Sequence, residues 1–385
     1  MQTLSLRIGS ISLALLGLLF VVMQAQANPA SHGVLGATIP ATAPVLQNND
    51  FECTTGYYTQ TNALGKTIHI PNGWTLVTIN GSPKIHSARI NFAGSCDGSA
   101  HIEKMSGIDS VLVEAQDLEK PPAPGKPFDV ALYQQISATV GGAYSLSGWM
   151  LSLCGGSNVP TDCPSNNYMA KMIGLDPTGG TDPLADTVVW TENRHNFIEN
   201  GKKVGWANLS TSTIAQAMTI TVFARINSPF QWHGNHAFID AFSLVRAPVV
   251  TLTVPITATS QITVHWDGLQ SQDVTAIPGG TYKLYFDVQY RPISTTNWIN
   301  LVTDALGAGT ATLNARCTNT SYEFRARARA EQPPAPPDGA SPNQRYLGVW
   351  SDPQRVFVEA ITGEPAPPLG DFQIFLPLVQ NTLQC

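Results

Sequence analysis

The sequence predicts an all-β chain of two successive sandwiches, a β-sandwich or jelly roll followed by an immunoglobulin-like β-sandwich. Three observations carry this. From about residue 46 to 247, short alternating runs are separated by turn clusters. "ALYQQISATV" (131–140), "AYSLSGWMLSL" (143–153), "DTVVWT" (186–191) and "MTITVFARI" (218–226) are the clearest, and such spacing points to a sandwich or jelly roll. A second series begins at "RAPVV" and continues through "QITVHW", "YKLYFDVQYR", "TATLNARC", "SYEFRARARA" and "YLGVWSD". It fills roughly 248–360, a length that suits an immunoglobulin-like sandwich. Composition agrees: 32 Gly, 28 Pro and only 12% charged residues favour strands and turns over helices.

Taken in order, residues 1–27 form a secretion address. Arg7 precedes the apolar "ISLALLGLLFVVM", and Ala25-Gln26-Ala27 is an A-x-A cleavage pattern. The expected mature chain starts at Asn28, is secreted to the extracellular space or cell surface, and carries no membrane span. Residues 28–45 are a linker of Ala, Pro, Thr and Gly. The first sandwich occupies 46–247 and the second 248–360, the latter interrupted by the loop "EQPPAPPDGASPN". Residues 361–385 are a Pro-rich spacer and a short apolar tail, whose "FQIFLPLV" is too short to span a bilayer. A net charge of −6 with no block of Lys or Arg argues against nucleic acid and acidic membranes as partners.

Six cysteines in an exported chain are candidates for bridges. Cys154 and Cys163 flank a loop that a bridge would staple, and Cys53 with Cys96 is the other plausible pair. Connectivity stays open. Cys317, on one strand face with Leu313 and Ala315, reads as a buried thiol, and the terminal Cys385 as a thiol able to pair with another chain.

"HAFIDAFSLVRAP" (236–248) poses a sharper question. Regular alternation puts Phe238, Asp240, Phe242 and Leu244 on one face, so a carboxylate sits among core residues. Buried charges are paired or bind metal. Asp240 therefore meets a cation, an Arg or Lys partner, or the solvated end of the strand.

The second sandwich resembles a fibronectin type III domain. The resemblance rests on Trp266, on "FDVQYRPISTTNW" with Tyr290 and Trp298, and on Leu313, Tyr322 and "GVWSDP". It implies a spacer or display role, with Tyr322 as a corner tyrosine bonded back to nearby backbone. Arg325, Arg327 and Arg329 alternate with Phe324, Ala326 and Ala328, as a solvated face or as a row in cation–π contact with Trp350. The first sandwich resembles the galactose-binding-like jelly rolls, which include many carbohydrate-binding modules. The ordered pieces are "NNDFE", "PNGW", "ALYQQI", "AYSLSGWM", "IGLDPTGGTDPLADTVVW", "GWANLS", "MTITVFARI" and "AFIDAFSL". This resemblance implies a structural calcium ion (Ca2+) held with the help of Glu52 and Asp240, the remaining oxygens coming from backbone carbonyls and Asp50. The family often has a second acid after Asp240; Ala241 stands there instead.

Alternation also nominates a binding face. Tyr133 and Gln135 point away from the core positions Val130, Leu132 and Ile136. Ser145, Ser147 and Trp149 point away from Tyr144, Leu146 and Met150, and Phe223 and Arg225 away from Met218, Ile220 and Val222. Outward aromatics with polar neighbours suit sugar rings, whose faces pack on aromatics while their hydroxyls need hydrogen bonds. The competing explanation is a minor second core beneath a loop such as 155–170 or 176–187. Trp74 and Trp206 read as packing residues. Trp190, and the loop residues Trp232, His233 and Asn235, complete the candidates. No G-x-S-x-G, H-E-x-x-H or phosphate-binding loop occurs. The expected function is non-catalytic recognition of an extracellular glycan; the alternative is a cell-surface adhesion or envelope protein acting through protein contacts.

Overall fold

The computed structural model describes residues 44–89, 96, 104–115, 127–153, 169–194, 198–199, 202–203, 205–228, 235–277, 281–315, 317–332 and 344–359. The chain is all-β, built as two sandwiches whose described strand pairs are antiparallel but for one, both within one compact unit. In the first, after a 3-10 turn at Cys53–Thr55, come β1 (Tyr57–Thr61), β2 (Thr67–Pro71), β3 (Thr75–Asn80), β4 (Lys84–Ser87), β5 (Val111–Glu114), β6 (Phe128–Ser137) and β7 (Ala143–Leu153). These are followed by β8 (Ala170–Asp176), β9 (Val189–Asn193), β10 (Ile198–Glu199), β11 (Lys202–Lys203), β12 (Ala207–Ile214), β13 (Thr219–Ser228) and β14 (His236–Arg246). One sheet runs β12-β7-β14-β5-β4 and the other β3-β6-β13-β8-β9.

The core between these sheets follows the alternation. Phe128, Val130, Leu132 and Ile136 of β6 meet Ile220, Val222, Ala224 and Ile226 of β13 and Tyr144, Leu146 and Met150 of β7. Met218 departs from expectation: it precedes β13 and is exposed. Trp74 is core as expected, in a trio with Phe51 (5.1 Å) and Phe242 (5.8 Å). The Phe242 ring lies over Gly148, where a Cβ would come within 2.3 Å of it.

The largest departure is in β14. Its pairing with β7 shifts between Asp240 and Ser243, and Ala241 adopts φ +49°. This bulge changes which side chains share a face. Ala237 and Ile239 enter the core before it, and Phe242 and Leu244 after it. Phe238 instead joins Ala88, Leu112 and Leu151 in a separate outer cluster, where Trp206 packs on it at 6.4 Å. Phe238, Asp240, Phe242 and Leu244 thus do not form one face.

The second sandwich contains β15 (Val249–Thr253), β16 (Thr257–Ala258), β17 (Gln261–Leu269), the short helix α1 (Gln272–Thr275), β18 (Lys283–Pro292) and β19 (Ile299–Leu306). β20 (Gly309–Asn314), β21 (Thr320–Glu331), β22 (Arg345–Leu347) and β23 (Gln354–Val358) complete it. A β15-β17-β20 sheet packs on β16-β23-β21-β18-β19, with β22 paired to β21. Their core holds Trp266, Phe286, Val288, Phe324 and Ala326. The Tyr322 hydroxyl accepts the Cys317 backbone N–H at 3.2 Å, the corner bond expected of it.

The junction between the sandwiches is dense. The Arg246 backbone N–H and guanidinium all bond the Asp273 carboxylate. Tyr346 and Val245 are buried with Val274, Tyr282 and Ala330. Along β12, Asn208 Oδ1 and Ser210 Oγ accept the backbone N–H of Arg345 and Leu347, and Ser212 Oγ donates to the Gly348 carbonyl. Ser145 and Ser147, expected to face outward, are buried on this side.

Cys53 and Cys96 form a disulfide with Cα atoms 5.6 Å apart. Cys317 corrects the free-thiol expectation. It is disulfide-bonded, to a partner outside the described residues. It lies beyond the end of β20 at Asn314, in the turn before β21, so strand-face alternation does not apply to it. Cys154, Cys163 and Cys385, and the expected address and tail, lie outside the described residues.

Candidate functional site

Three of the nominated aromatics converge on the outer face of the β3-β6-β13-β8-β9 sheet. Phe223 is fully buried at its centre, with Tyr133 at 6.0 Å and Trp190 at 5.6 Å between ring centroids. The register explains the meeting. Phe223 of β13 is opposite Tyr133 of β6 on one side and Gly174 of β8 on the other, and Gly174 is in turn opposite Trp190 of β9. A Cβ on Gly174 would come within 2.7 Å of the Trp190 ring, so the missing side chain is what lets that ring reach Phe223.

This patch is partly the minor core that was the competing explanation. Val188 and Ala185, from the loop between β8 and β9, pack on Phe223 and Ala131. Asp176 anchors that loop by accepting bonds from Thr178 and Thr187, and Gln135 Nε2 donates to the Gly179 carbonyl at 2.7 Å. Phe223 therefore acts as a floor rather than a contact. Tyr133 and Trp190 remain half-exposed above it.

Beside the aromatics the nominated Arg225 is held in a fixed polar network whose other members, Asp129 and Asn227, the sequence did not reveal. Arg225 Nε and Nη2 donate to both oxygens of Asp129 at 2.8 and 2.6 Å, and Asn227 Nδ2 adds a third bond at 2.9 Å. The Arg225 guanidinium lies 5.8 Å from the Trp190 ring centre. Its pKa is raised, chiefly by the hydrogen bonds to Asp129. Asp129 occupies the alternating position that Tyr133 and Gln135 share, which is the signal by which it was findable. An open groove of about 580 Å³ adjoins Tyr133 and Gln135, and Gln47, Thr75, Tyr144 and Arg246 also line it.

The other nominated residues are not part of this site. Trp149 points out of the main core but is covered, at 5% exposure, so it offers no ring face. It is on β7 of the opposite sheet. Asn235 is fully buried, donating to Ser228 Oγ. Trp232 and His233 lie outside the described residues.

No protein-family model matches the chain, and no curated protein matches it. Among solved structures, it is similar to the carbohydrate-binding module TmCBM61 in complex with β-1,4-galactotriose, at 14% identity and a TM-score of 0.29, over 46% of this chain and 89% of that one. It is also similar to a β-1,2-glucanase from Parabacteroides distasonis, at 10% identity and a TM-score of 0.23 over 75% of this chain. The match spans 36% of the glucanase's length.

Glu52 and Asp240, the acids nominated for calcium, lie around one loop, 104–110. Asp240 is fully buried; its Oδ2 accepts the Met105 and Ser106 backbone N–H at 2.6 and 2.8 Å, and its Oδ1 that of Ala241. Glu52 Oε1 accepts the Ile108 N–H at 2.7 Å. Burial, more than the neighbouring Glu52 charge, pushes the Asp240 pKa up to about 7 despite those three bonds. Asp109, bonded to Ser87 and the Ser110 N–H, is a third carboxylate nearby, its pKa also raised by burial. Among the described residues, none of the three has a Lys, Arg or His ion-pair partner. Hard oxygens without a counter-charge suit a hard cation. Among the described residues, no group of three or more His, Cys, Asp or Glu is arranged to hold a metal, so backbone oxygens would have to fill most of a shell. Asp50 is exposed.

Proposed function

We propose that the chain is a non-catalytic glycan-binding protein whose contact surface is the outer face around Tyr133 and Trp190. One observation carries this reading. Two half-exposed rings flank a buried Phe223 beside a pre-fixed Arg225–Asp129–Asn227 network. A sugar needs an apolar surface for its ring and directional polar groups for its hydroxyls. A network held in place beforehand loses little freedom when it meets them. The second sandwich is read as a fibronectin type III domain, supported by the Tyr322 corner bond and the three-stranded sheet packed on a larger one. Export and a structural calcium at Glu52 and Asp240 belong to the same proposal.

The test is a polysaccharide and glycan screen on the full chain, because the junction makes the isolated first sandwich a doubtful specimen. Trp190→Ala and Tyr133→Ala should each weaken the best ligand about tenfold or more in a chain that stays folded, with some loss of melting temperature from the lost packing on Phe223. Trp149→Ala should destabilise without that selective loss. A chain that binds no glycan, or variants that bind as wild type does, would refute the reading.

A further inference from the structure

The second sandwich carries a different assembly of tryptophan and arginine. Arg291, Trp298, Arg325, Trp350 and Arg327 form one continuous stack, with guanidinium carbons 4.4, 4.2, 4.4 and 4.7 Å from successive ring centres. Each tryptophan has an arginine on two sides. Little ring face remains for a sugar to pack on, so the open parts of this surface are guanidinium and indole edges. The outer arginines are neutralised. Arg291 donates to Glu323 at 2.7 and 2.9 Å, and Arg327 pairs with Asp287 at 3.0 Å. The middle one has no such acid among the described residues: Arg325 Nε and Nη2 both donate to the neutral Gln289 Oε1, at 3.0 and 2.7 Å. Gln289 is held in turn, its Nε2 donating to Asn300 Oδ1.

We infer that the partly exposed edge of this stack at Arg325 is a binding site for an oxyanion, the carboxylate or sulfate of a small ion or of an acidic polysaccharide. A cation fixed between two rings and flanked by two further guanidinium groups is stabilised by an arriving anion; with Nε and Nη2 donating to Gln289, Nη1 is the nitrogen that would meet its oxygen. Burial and the charges of Arg291 and Arg327 lower the Arg325 pKa, consistent with a positive charge lacking compensation. The chain as a whole carries −6, so general electrostatics oppose anion binding and any that occurs must be local.

The experiment titrates the full chain with dextran sulfate and polygalacturonate, with neutral dextran as control, at low and moderate ionic strength. Wild type should bind the acidic polymers only, and binding should weaken with salt. Competition by inorganic sulfate would assign the site to the oxyanion itself; binding without such competition would assign it to the polymer. Arg325→Gln should weaken binding about tenfold. Glu323→Gln, which removes the carboxylate beside Arg291 and Arg355, should tighten it about threefold. It also decides the matter if Arg325→Gln does not fold. Absent binding by wild type, equal binding by Arg325→Gln, or no change in Glu323→Gln would overturn the inference. Loss of glycan binding in the Trp190 variant leaves it standing, since the two sites are on different sandwiches.

Discussion

The two sandwiches handle charge in opposite ways. In the second, each carboxylate buried at or near the outer sheet meets arginine: Asp287 meets Arg327 and Arg329, and Glu323 meets Arg291 and Arg355. In the first, Asp129 is the one buried carboxylate with such a partner among the described residues, Arg225, beside the exposed Glu192–Arg194 pair. Asp240 and Asp176 accept only N–H and O–H donors, and Glu114 gathers His86, His236 and Lys84. Arginine does not titrate in the working range, whereas Asp240, its pKa pushed up to about 7 chiefly by burial, does. The difference teaches that the first sandwich should be the pH-sensitive half and the one that a bound cation would change.

The largest expected effect tests that contrast. With its folded pKa at about 7 against about 3.9 unfolded, Asp240 takes up a proton on folding. The folded state then binds more protons than the unfolded one between those values, so stability falls as pH rises through the window. The loss approaches about 4 kcal/mol by pH 8 in chelator. Asp240→Asn should remove most of the slope, leaving the smaller part that the buried Asp109, its pKa also raised, contributes with the same sign. Calcium should flatten it by favouring the carboxylate, and should add stability by mass action. Urea denaturation across the window, with chelator and with calcium, measures both. A flat profile in chelator would sink the first claim, and a calcium-independent profile at high pH would sink the proposed ion.

Next in size is the cost of removing one carboxylate from each sandwich. Asp129→Asn leaves a largely buried Arg225 without the acid that holds both its nitrogens, which should cost about 3 kcal/mol. Asp287→Asn should cost roughly half as much, because its arginines keep other partners. Arg329 retains Asp304 and Glu331, and Arg327 retains the Trp350 ring. Equal losses in matched denaturation curves would mean that the other partners of Arg327 and Arg329 do not compensate for Asp287.

Much of this was legible in the sequence, for a stated reason. Where strands are regular, as in β6 and β13, period-2 alternation placed Tyr133, Gln135, Phe223 and Arg225 on the correct side. The Cys53–Cys96 bridge and the Tyr322 bond also matched expectation. Alternation carries no information about what covers a face, so it could not separate Trp149, buried at 5% exposure, from the half-exposed Trp190. It also fails at a bulge, which is why Phe238 and Phe242 parted company in β14. The Arg225–Asp129 pair joins residues 96 positions apart. Only strand pairing brings them together, and pairing is not written in either segment alone.

The smallest stability effect should come with a large functional one, and it separates the two tryptophan surfaces. Gly174→Ala puts a methyl group where the Trp190 ring edge (2.7 Å) and Val188 (2.9 Å) already stand. Backbone strain is not the cause, since Gly174 is paired on both sides within a regular sheet. The ring must tilt away from Phe223, at about 1 kcal/mol for an overpacked contact. Glycan binding at this face should fall about tenfold, because the ring no longer lies beside Arg225. The Arg325 stack, in the other sandwich, should keep its affinity for acidic polymer. Parallel titrations of Gly174→Ala with the two ligand classes measure this directly. Loss of both activities would mean that the sandwiches communicate through their junction; loss of neither would mean that Trp190 is packing alone, and the proposed glycan surface would have to be abandoned.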